Sequence, residues 1–110
     1  MKFLSLPFTV IDWNTVPAVE HEGESGAAIC RRFQSSNLRV RQIEYTPGYR
    51  AEDWCDRRQV LYVLEGELEA ELKDGQRVLL KPGMSVQVSG CGGAAYRSST
   101  ITGAKLFIVD

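Results

Sequence analysis

The sequence lacks an excess of charge of either sign. Its 13 basic and 14 acidic residues give a formal net charge of -1. Contacts to nucleic-acid phosphates need a concentrated basic surface, so this balance removes the usual electrostatic reason to expect a nucleic-acid partner. We interpret the two short arginine pairs, at 31–32 and 57–58, as solvated or salt-bridged side chains.

The sequence also lacks a long apolar run and a regular cysteine spacing. No apolar stretch approaches the roughly 18 residues that a membrane span requires. The N-terminal segment is broken by Pro7 and has no convincing small-residue cleavage site, so we interpret it as part of the folded protein. Cys30, Cys55 and Cys91 are odd in number and form no C-x-x-C pair, which favours free, reduced thiols. We therefore expect a cytoplasmic protein with no membrane association.

No segment shows a helical pattern of apolar residues over a useful length. The apolar residues instead alternate with a period of two in short segments, which is typical of strands. Leu68, Ala70 and Leu72 alternate with charged residues between 67 and 73, which predicts a strand with one buried face. Asp74 and Gly75 then form a hairpin signal, because both residues tolerate positive φ. The other strand candidates are the apolar segment 8–11 and the segments 27–33, 38–45, 60–64, 76–81, 84–89, 96–100 and 104–109.

These candidates predict one all-β domain over residues 1–110. Turns recur about every 8–12 residues, and many short half-buried strands must close on one another to cover their apolar faces. An antiparallel sandwich or barrel is the expected result. We predict an acidic, glycine-containing loop at 20–26, and we expect one face of strand 38–45 to be wet or paired with acids because it carries Arg39 and Arg41.

The stretch 48–66 contains the candidate site. Asp53, Cys55 and Gln59 lie two and four residues apart, just before an apolar strand. Residues separated by even numbers project to the same face of an extended strand. The spacing therefore predicts three polar side chains that point into one concavity, where they could hold a metal or a small molecule. A pairing of Asp53 with Arg39 or Arg41 is the plainer alternative.

Several motifs resemble the cupin superfamily in order and spacing. They are the turn at 47–48, the YVLEGELEAEL segment with its Asp-Gly turn, the LKPGM segment at 80–84 and the RSST segment at 97–100. Trp54-Cys55 and the C-terminal run 103–110 are more similar to small single-domain cupins named for a DHCW motif. This resemblance implies a cupin-type antiparallel jelly-roll β-barrel of roughly six to eight strands, commonly a homodimer, with a metal held inside by two motifs.

The resemblance also shows where this chain departs from the family. The first motif's ligand positions correspond to Asp53, Cys55 and Gln59, and the second motif's Pro-His pair corresponds to Ala95 and Tyr96. The expected barrel histidines are thus replaced. Imidazole is the usual ligand for zinc or iron, whereas glutamine is a weak ligand and a tyrosine hydroxyl has an intrinsic pKa of about 10.

Three functional hypotheses stay open. In the first, the metal site is degenerate, no cofactor is bound, and Asp53, Cys55, Gln59 and Tyr96 form a hydrogen-bonded pocket that is non-catalytic or binds a small molecule weakly. Here the Tyr96 hydroxyl bonds to Gln59 or Asp53. In the second, Asp53, Cys55 and the chain's single histidine, His21, hold zinc or iron in an enzyme of dioxygenase or isomerase type. In the third, Cys55 performs thiol redox chemistry.

Overall fold

The computed structural model describes residues 5–90 and 95–110, and this part of the chain is almost entirely β-structure. Apart from a 3-10 helix at Trp13–Thr15, no helix is found there, and none has the length and apolar character needed to cross a bilayer. The strands are β1 (Val19–Glu22), β2 (Ala27–Ser35), β3 (Leu38–Tyr45), β4 (Gln59–Gly66), β5 (Leu68–Leu72), β6 (Arg77–Leu80), β7 (Ser85–Val88), β8 (Tyr96–Ser99) and β9 (Ala104–Val109).

The strands form two antiparallel sheets. The larger has six strands in the order β1-β2-β3-β9-β4-β7, and the smaller has three in the order β6-β5-β8. β9 lies between β3 and β4, so the last strand of the chain joins the two halves of the larger sheet. Every strand pairing among the described residues is antiparallel, which confirms the predicted all-β jelly-roll class.

The core lies between the two sheets, and alternate residues of each strand fill it. On β4, Leu61 and Val63 are fully buried while Val60 and Tyr62 face outward. The predicted alternation on β5 is confirmed, since Leu68 and the other even-numbered residues point inward. The burial of these apolar side chains on the inner face of each sheet therefore stabilises the packing of the two sheets.

The predicted loop at 20–26 is wrong in its first half. Val19–Glu22 forms β1, whose backbone pairs with the start of β2. All four β1 side chains are exposed, so no apolar alternation marks this strand in the sequence. The turn that follows needs Gly26, which has φ of 64°, and a Cβ at this position would lie 2.7 Å from the Tyr49 Cα.

The apolar segment 8–11 is not a strand in the structure. Phe8 is 96% exposed, and the first regular element is the 3-10 helix, where the Asp12 side chain accepts a hydrogen bond from the Asn14 backbone N–H. Trp13 packs edge-to-face against Phe107 on the outer surface of β9, with ring centroids 5.6 Å apart. Residues 5–18 therefore contribute a contact on the outer face of the larger sheet but form no strand.

The arginines of β3 are paired with an acid, as expected, but the acid is Asp110 and not Asp53. Arg39 donates two hydrogen bonds to the Asp110 carboxylate, at 2.8 Å from Nε and 2.6 Å from Nη2, and Arg41 donates a third at 3.2 Å. The Asp110 side chain is only 5% exposed. The bond to Asp110 raises the pKa of Arg39 despite its partial burial. This cluster fixes the end of β9 against β3.

Asp110→Asn should lower the free energy of unfolding by about 2 kcal/mol, because it leaves two partly buried guanidinium groups without their counterion. Urea denaturation followed by tryptophan fluorescence measures this change. Glu65→Gln is the control, since it removes the exposed pair with Lys105 and should cost only about 0.5 kcal/mol. Equal effects of the two substitutions would contradict a structural role for Asp110.

Candidate functional site

Three of the four predicted pocket residues meet between the sheets. Gln59 begins β4 in the larger sheet and Tyr96 begins β8 in the smaller one. Cys55 precedes β4 and pairs with Tyr96 through two backbone hydrogen bonds of 2.8 and 3.0 Å. The Tyr96 hydroxyl donates to Gln59 Oε1 at 2.5 Å, and Gln59 Nε2 donates to Cys55 Sγ at 3.1 Å. The predicted bond between Tyr96 and Gln59 is therefore present, and we call these three residues the polar cluster.

Gln59 and Tyr96 of the polar cluster are buried, Cys55 is partly buried, and the three side chains bond to one another. Gln59 is 3% exposed and Tyr96 is 4% exposed. A buried amide oxygen or hydroxyl without a partner would carry a large desolvation penalty, so each polar atom of the cluster stabilises the position of the next. Both ends of the Gln59 amide are engaged. The cluster is thus a cross-link between two sheets.

Both ionisable members of the cluster are held in their neutral forms. Burial raises the pKa of Tyr96 well above its ordinary value, and the positive charge of Arg41 only partly opposes this. Burial likewise raises the pKa of the Cys55 thiol, against the opposing effects of the Gln59 hydrogen bond and Arg41. Desolvation disfavours an anion more than these neighbours favour it. Neither a phenolate nor a thiolate is therefore expected near neutral pH.

Asp53 does not join the polar cluster, contrary to the prediction from spacing. The segment 51–58 is a loop with a single bridge at Cys55, so the alternation of an extended strand does not apply to it. The Asp53 side chain is exposed. The bridge to Tyr96 places Cys55 beside Gln59, whereas Asp53 lies outside the cluster.

The structure does not assemble the predicted metal ligands. His21 is exposed on β1, the edge strand of the larger sheet. Within residues 5–90 and 95–110, no three His, Cys, Asp or Glu side chains are grouped so that they could hold a metal ion. Asp53, Cys55 and His21 thus do not lie together as a group in this structure. Cys30 and Cys55 are free thiols, and Cys91 lies outside the described residues.

A cavity of about 450 Å³ lies against the inner face of β1, β2 and β3. The strand register divides its wall into two ends. Arg32 on β2 is opposite Arg41 on β3 at one end, and Ala28 is opposite Tyr45 at the other. Tyr49, which follows the turn after β3, completes the second end. The cavity therefore has a cationic end and an apolar end.

The apolar end is built on a stacked pair of tyrosines. The rings of Tyr45 and Tyr49 are nearly parallel, with an 8° interplanar angle and 4.1 Å between centroids. Both residues are buried, and burial raises the pKa of each hydroxyl. The pair presents a flat, uncharged aromatic wall to the cavity.

The arginine end was not identified from the sequence as part of a site. The signal was nevertheless there, because Arg39 and Arg41 share a strand face with Ile43 and Tyr45 by simple alternation. What the sequence did not show is which strand pairs with β3 and which element covers it.

A second, open groove of about 530 Å³ shares Arg39 with the cavity and is lined by surface residues such as Arg57 and Arg58.

Comparisons with known proteins agree on the fold. A cupin of the RmlC-like type from Shewanella frigidimarina is 21% identical, with a TM-score of 0.73 over 94% of this chain and 89% of that chain. A predicted oxalate decarboxylase from Thermotoga maritima is 15% identical, with a TM-score of 0.77 over 92% and 96% of the two chains. The polyketide cyclase RemF from Streptomyces resistomycificus is 17% identical, with a TM-score of 0.78 over 94% and 78%.

These similarities identify a cupin fold. Neither a protein-family profile nor a curated relative matches the sequence. At such low identities, the shared property is the arrangement of the strands, which hosts many unrelated activities. The function must therefore be argued from this chain's own side chains.

Tyr96→Phe should lower the free energy of unfolding by about 1–3 kcal/mol, because the buried Gln59 carbonyl then loses its donor. Thermal and urea denaturation measure the loss. Tyr62→Phe is the matched control, since this tyrosine lies on the outer face and is 43% exposed. Tyr96→Phe combined with Gln59→Leu should recover part of the loss, as both polar partners are then removed. Additive effects in the double variant would contradict the cross-link.

Proposed function

We propose that this protein is a cupin-fold binding protein with a degenerate metal site, which takes a small organic molecule into its barrel without a resident metal. The hydrogen-bonded polar cluster is the observation that supports this most directly. By the family resemblance, Cys55, Gln59 and Tyr96 stand at metal-ligand positions. In this chain they bond to one another. On this proposal the chain is a divergent relative of the DHCW-motif cupins in which a cross-link has replaced the metal.

The chemistry of the donor atoms argues against a metal at this position. A cation bound by both the Gln59 carbonyl and the Tyr96 oxygen would replace the hydrogen bond between them, and the cluster would lose a buried hydrogen bond. Amide oxygen and neutral phenol are poor ligands for zinc or iron. The alternative of a dioxygenase- or isomerase-type enzyme that uses Asp53, Cys55 and His21 has less support, since these side chains are not grouped.

The cavity supports the binding part of the proposal. Its volume of about 450 Å³ falls in the range of small-molecule sites, which are concave and combine apolar walls with a few polar groups. The tyrosine pair supplies the wall, and the arginines supply the polar groups. A site of this kind can bind and orient a molecule without any metal.

A homodimer is part of the same proposal. The outer face of β4 presents Val60, Tyr62 and Leu64 to solvent, each more than a third exposed. Val109 and Phe107 on β9 are their cross-strand neighbours, so the apolar side chains form a continuous strip on the larger sheet. Burial of such a strip against a second copy would remove it from water.

Metal content tests the proposal. Purified protein, analysed by inductively coupled plasma mass spectrometry as isolated and after dialysis against zinc or ferrous iron, should carry substoichiometric metal. Asp53→Ala should leave that content unchanged. The double variant Gln59→His with Tyr96→His is the positive control, because it returns imidazole to both positions. Stoichiometric metal in the wild type that is lost in Asp53→Ala or Cys55→Ser would overturn the proposal.

The raised pKa of Cys55 gives a second test, directed at the thiol redox alternative. Because only the thiolate reacts, the pH at which alkylation reaches half its maximal rate should lie above that of a model thiol, whose pKa is about 8.5. Iodoacetamide labelling at several pH values, resolved by peptide mass spectrometry, reports Cys55 separately from the other cysteines. Gln59→Leu should raise this pH further, because it removes the Nε2–H donor to the sulfur. Labelling of Cys55 faster than the model thiol at neutral pH would support the redox alternative instead.

A further inference from the structure

The cavity wall is cationic although the protein as a whole is not. Arg32, Arg39 and Arg41 line the cavity, and no aspartate or glutamate of the described chain does so. The whole sequence carries a net charge of -1. A concave, partly buried surface of one sign focuses its potential and concentrates ions of the opposite sign. The cavity therefore attracts anions, even though the molecule has no overall tendency to do so.

Asp110, the buried counterion, accepts hydrogen bonds from only some of the guanidinium N–H groups that these arginines carry. Asp110 accepts two hydrogen bonds from Arg39 and one from Arg41. Arg41 Nε is buried and has no hydrogen-bond partner in the described part of the chain. Arg32 is exposed and forms no ion pair with the described residues. Arg39 and Arg41 thus share one carboxylate, which Arg57 also approaches at 3.9 Å, while the charge of Arg32 stays unpaired within the described chain, so the positive charge of these arginines exceeds the negative charge of Asp110.

The apolar residues that lie beside Arg41 in the cavity set a second requirement for a ligand. Along β3, Arg41 is followed on the same face by Ile43 and then by Tyr45, which stacks on Tyr49. A molecule that places an anionic group between Arg32 and Arg41 would lay the rest of its structure along this apolar surface. A fully hydrated ion such as phosphate would leave the tyrosine wall unused.

We propose that the cavity binds a compact organic acid, whose carboxylate is held by Arg32 and Arg41 and whose flat apolar body packs against Tyr45 and Tyr49. This inference rests on the proposed function and names the class of its ligand. Arg39, which is bound to Asp110 through two nitrogens, orients Asp110 and thereby positions Arg41. Guanidinium groups suit this task because they stay charged and can bind both oxygens of a carboxylate.

A matched set of probes tests the proposal by isothermal titration calorimetry. Sodium benzoate has a carboxylate on a flat ring, benzamide is its neutral analogue, and inorganic phosphate is an anion without an apolar body. Benzoate should bind at least about tenfold more tightly than benzamide, the ratio expected when charge-assisted hydrogen bonds are lost. Benzoate should also bind more tightly than phosphate, because only benzoate contacts the tyrosines.

Arg32→Gln is the decisive variant, because its side chain has no structural ion pair to lose. It should weaken benzoate binding about tenfold while benzamide binding stays the same. Arg77→Gln removes the same charge from the exposed strand β6, away from the cavity, and should leave benzoate binding unchanged. Arg41→Gln should weaken benzoate as Arg32→Gln does, with circular dichroism and urea denaturation to check that it folds.

The outcomes separate this inference from the proposed function. Equal affinity for benzoate and benzamide, or no effect of Arg32→Gln, overturns the carboxylate site and leaves a metal-free binding cavity standing. Phosphate that binds as tightly as benzoate, or displaces it one for one with higher affinity, overturns the role of the tyrosine wall. Absence of binding by all three probes overturns the inference. Stoichiometric metal in the wild type overturns the proposed function whatever the probes do.

Discussion

The hydrogen bond between the Tyr96 hydroxyl and the Gln59 carbonyl is the contact on which the site depends. It joins the first residue of β8 to the first residue of β4, and therefore joins the smaller sheet to the larger one. Because both groups are buried, neither can turn to water, and the pair must persist as long as the sheets stay packed. The thiol of Cys55 is fixed by the same glutamine. The three side chains of the polar cluster thus act together as a structural element.

A second polar contact, the ion-pair cluster around Asp110, orders the cavity. The carboxylate is buried at the end of β9, where it accepts two hydrogen bonds from Arg39 and one from Arg41. Without it, the partly buried guanidinium groups of Arg39 and Arg41 would repel each other with no counterion between them. With it, Arg41 keeps a fixed place and an unused donor. The same pairing that stabilises the fold therefore leaves the cavity cationic.

Much of the fold was predictable, because alternation of apolar and polar residues directly reports which face of a strand is buried. Leu68, Ala70 and Leu72 show this on β5, and the Asp74-Gly75 turn marks the hairpin that follows. β1 was missed because its four side chains are exposed and its pairing is made by the backbone alone. The site was predicted in part. Cys55, Gln59 and Tyr96 meet as expected, whereas Asp53 turns outward because its segment is a loop.

The sequence by itself determined the class of fold, since strand periodicity is a property of the chain alone. Only the tertiary structure decided what the polar side chains do. Asp110 and Arg39 are 71 residues apart in the chain and form two hydrogen bonds, and Tyr96 and Gln59 belong to different sheets. Pairings between distant residues depend on strand order and on exclusion of water. A linear pattern specifies neither, so the cavity with its cationic and aromatic ends emerged only from the packed sheets.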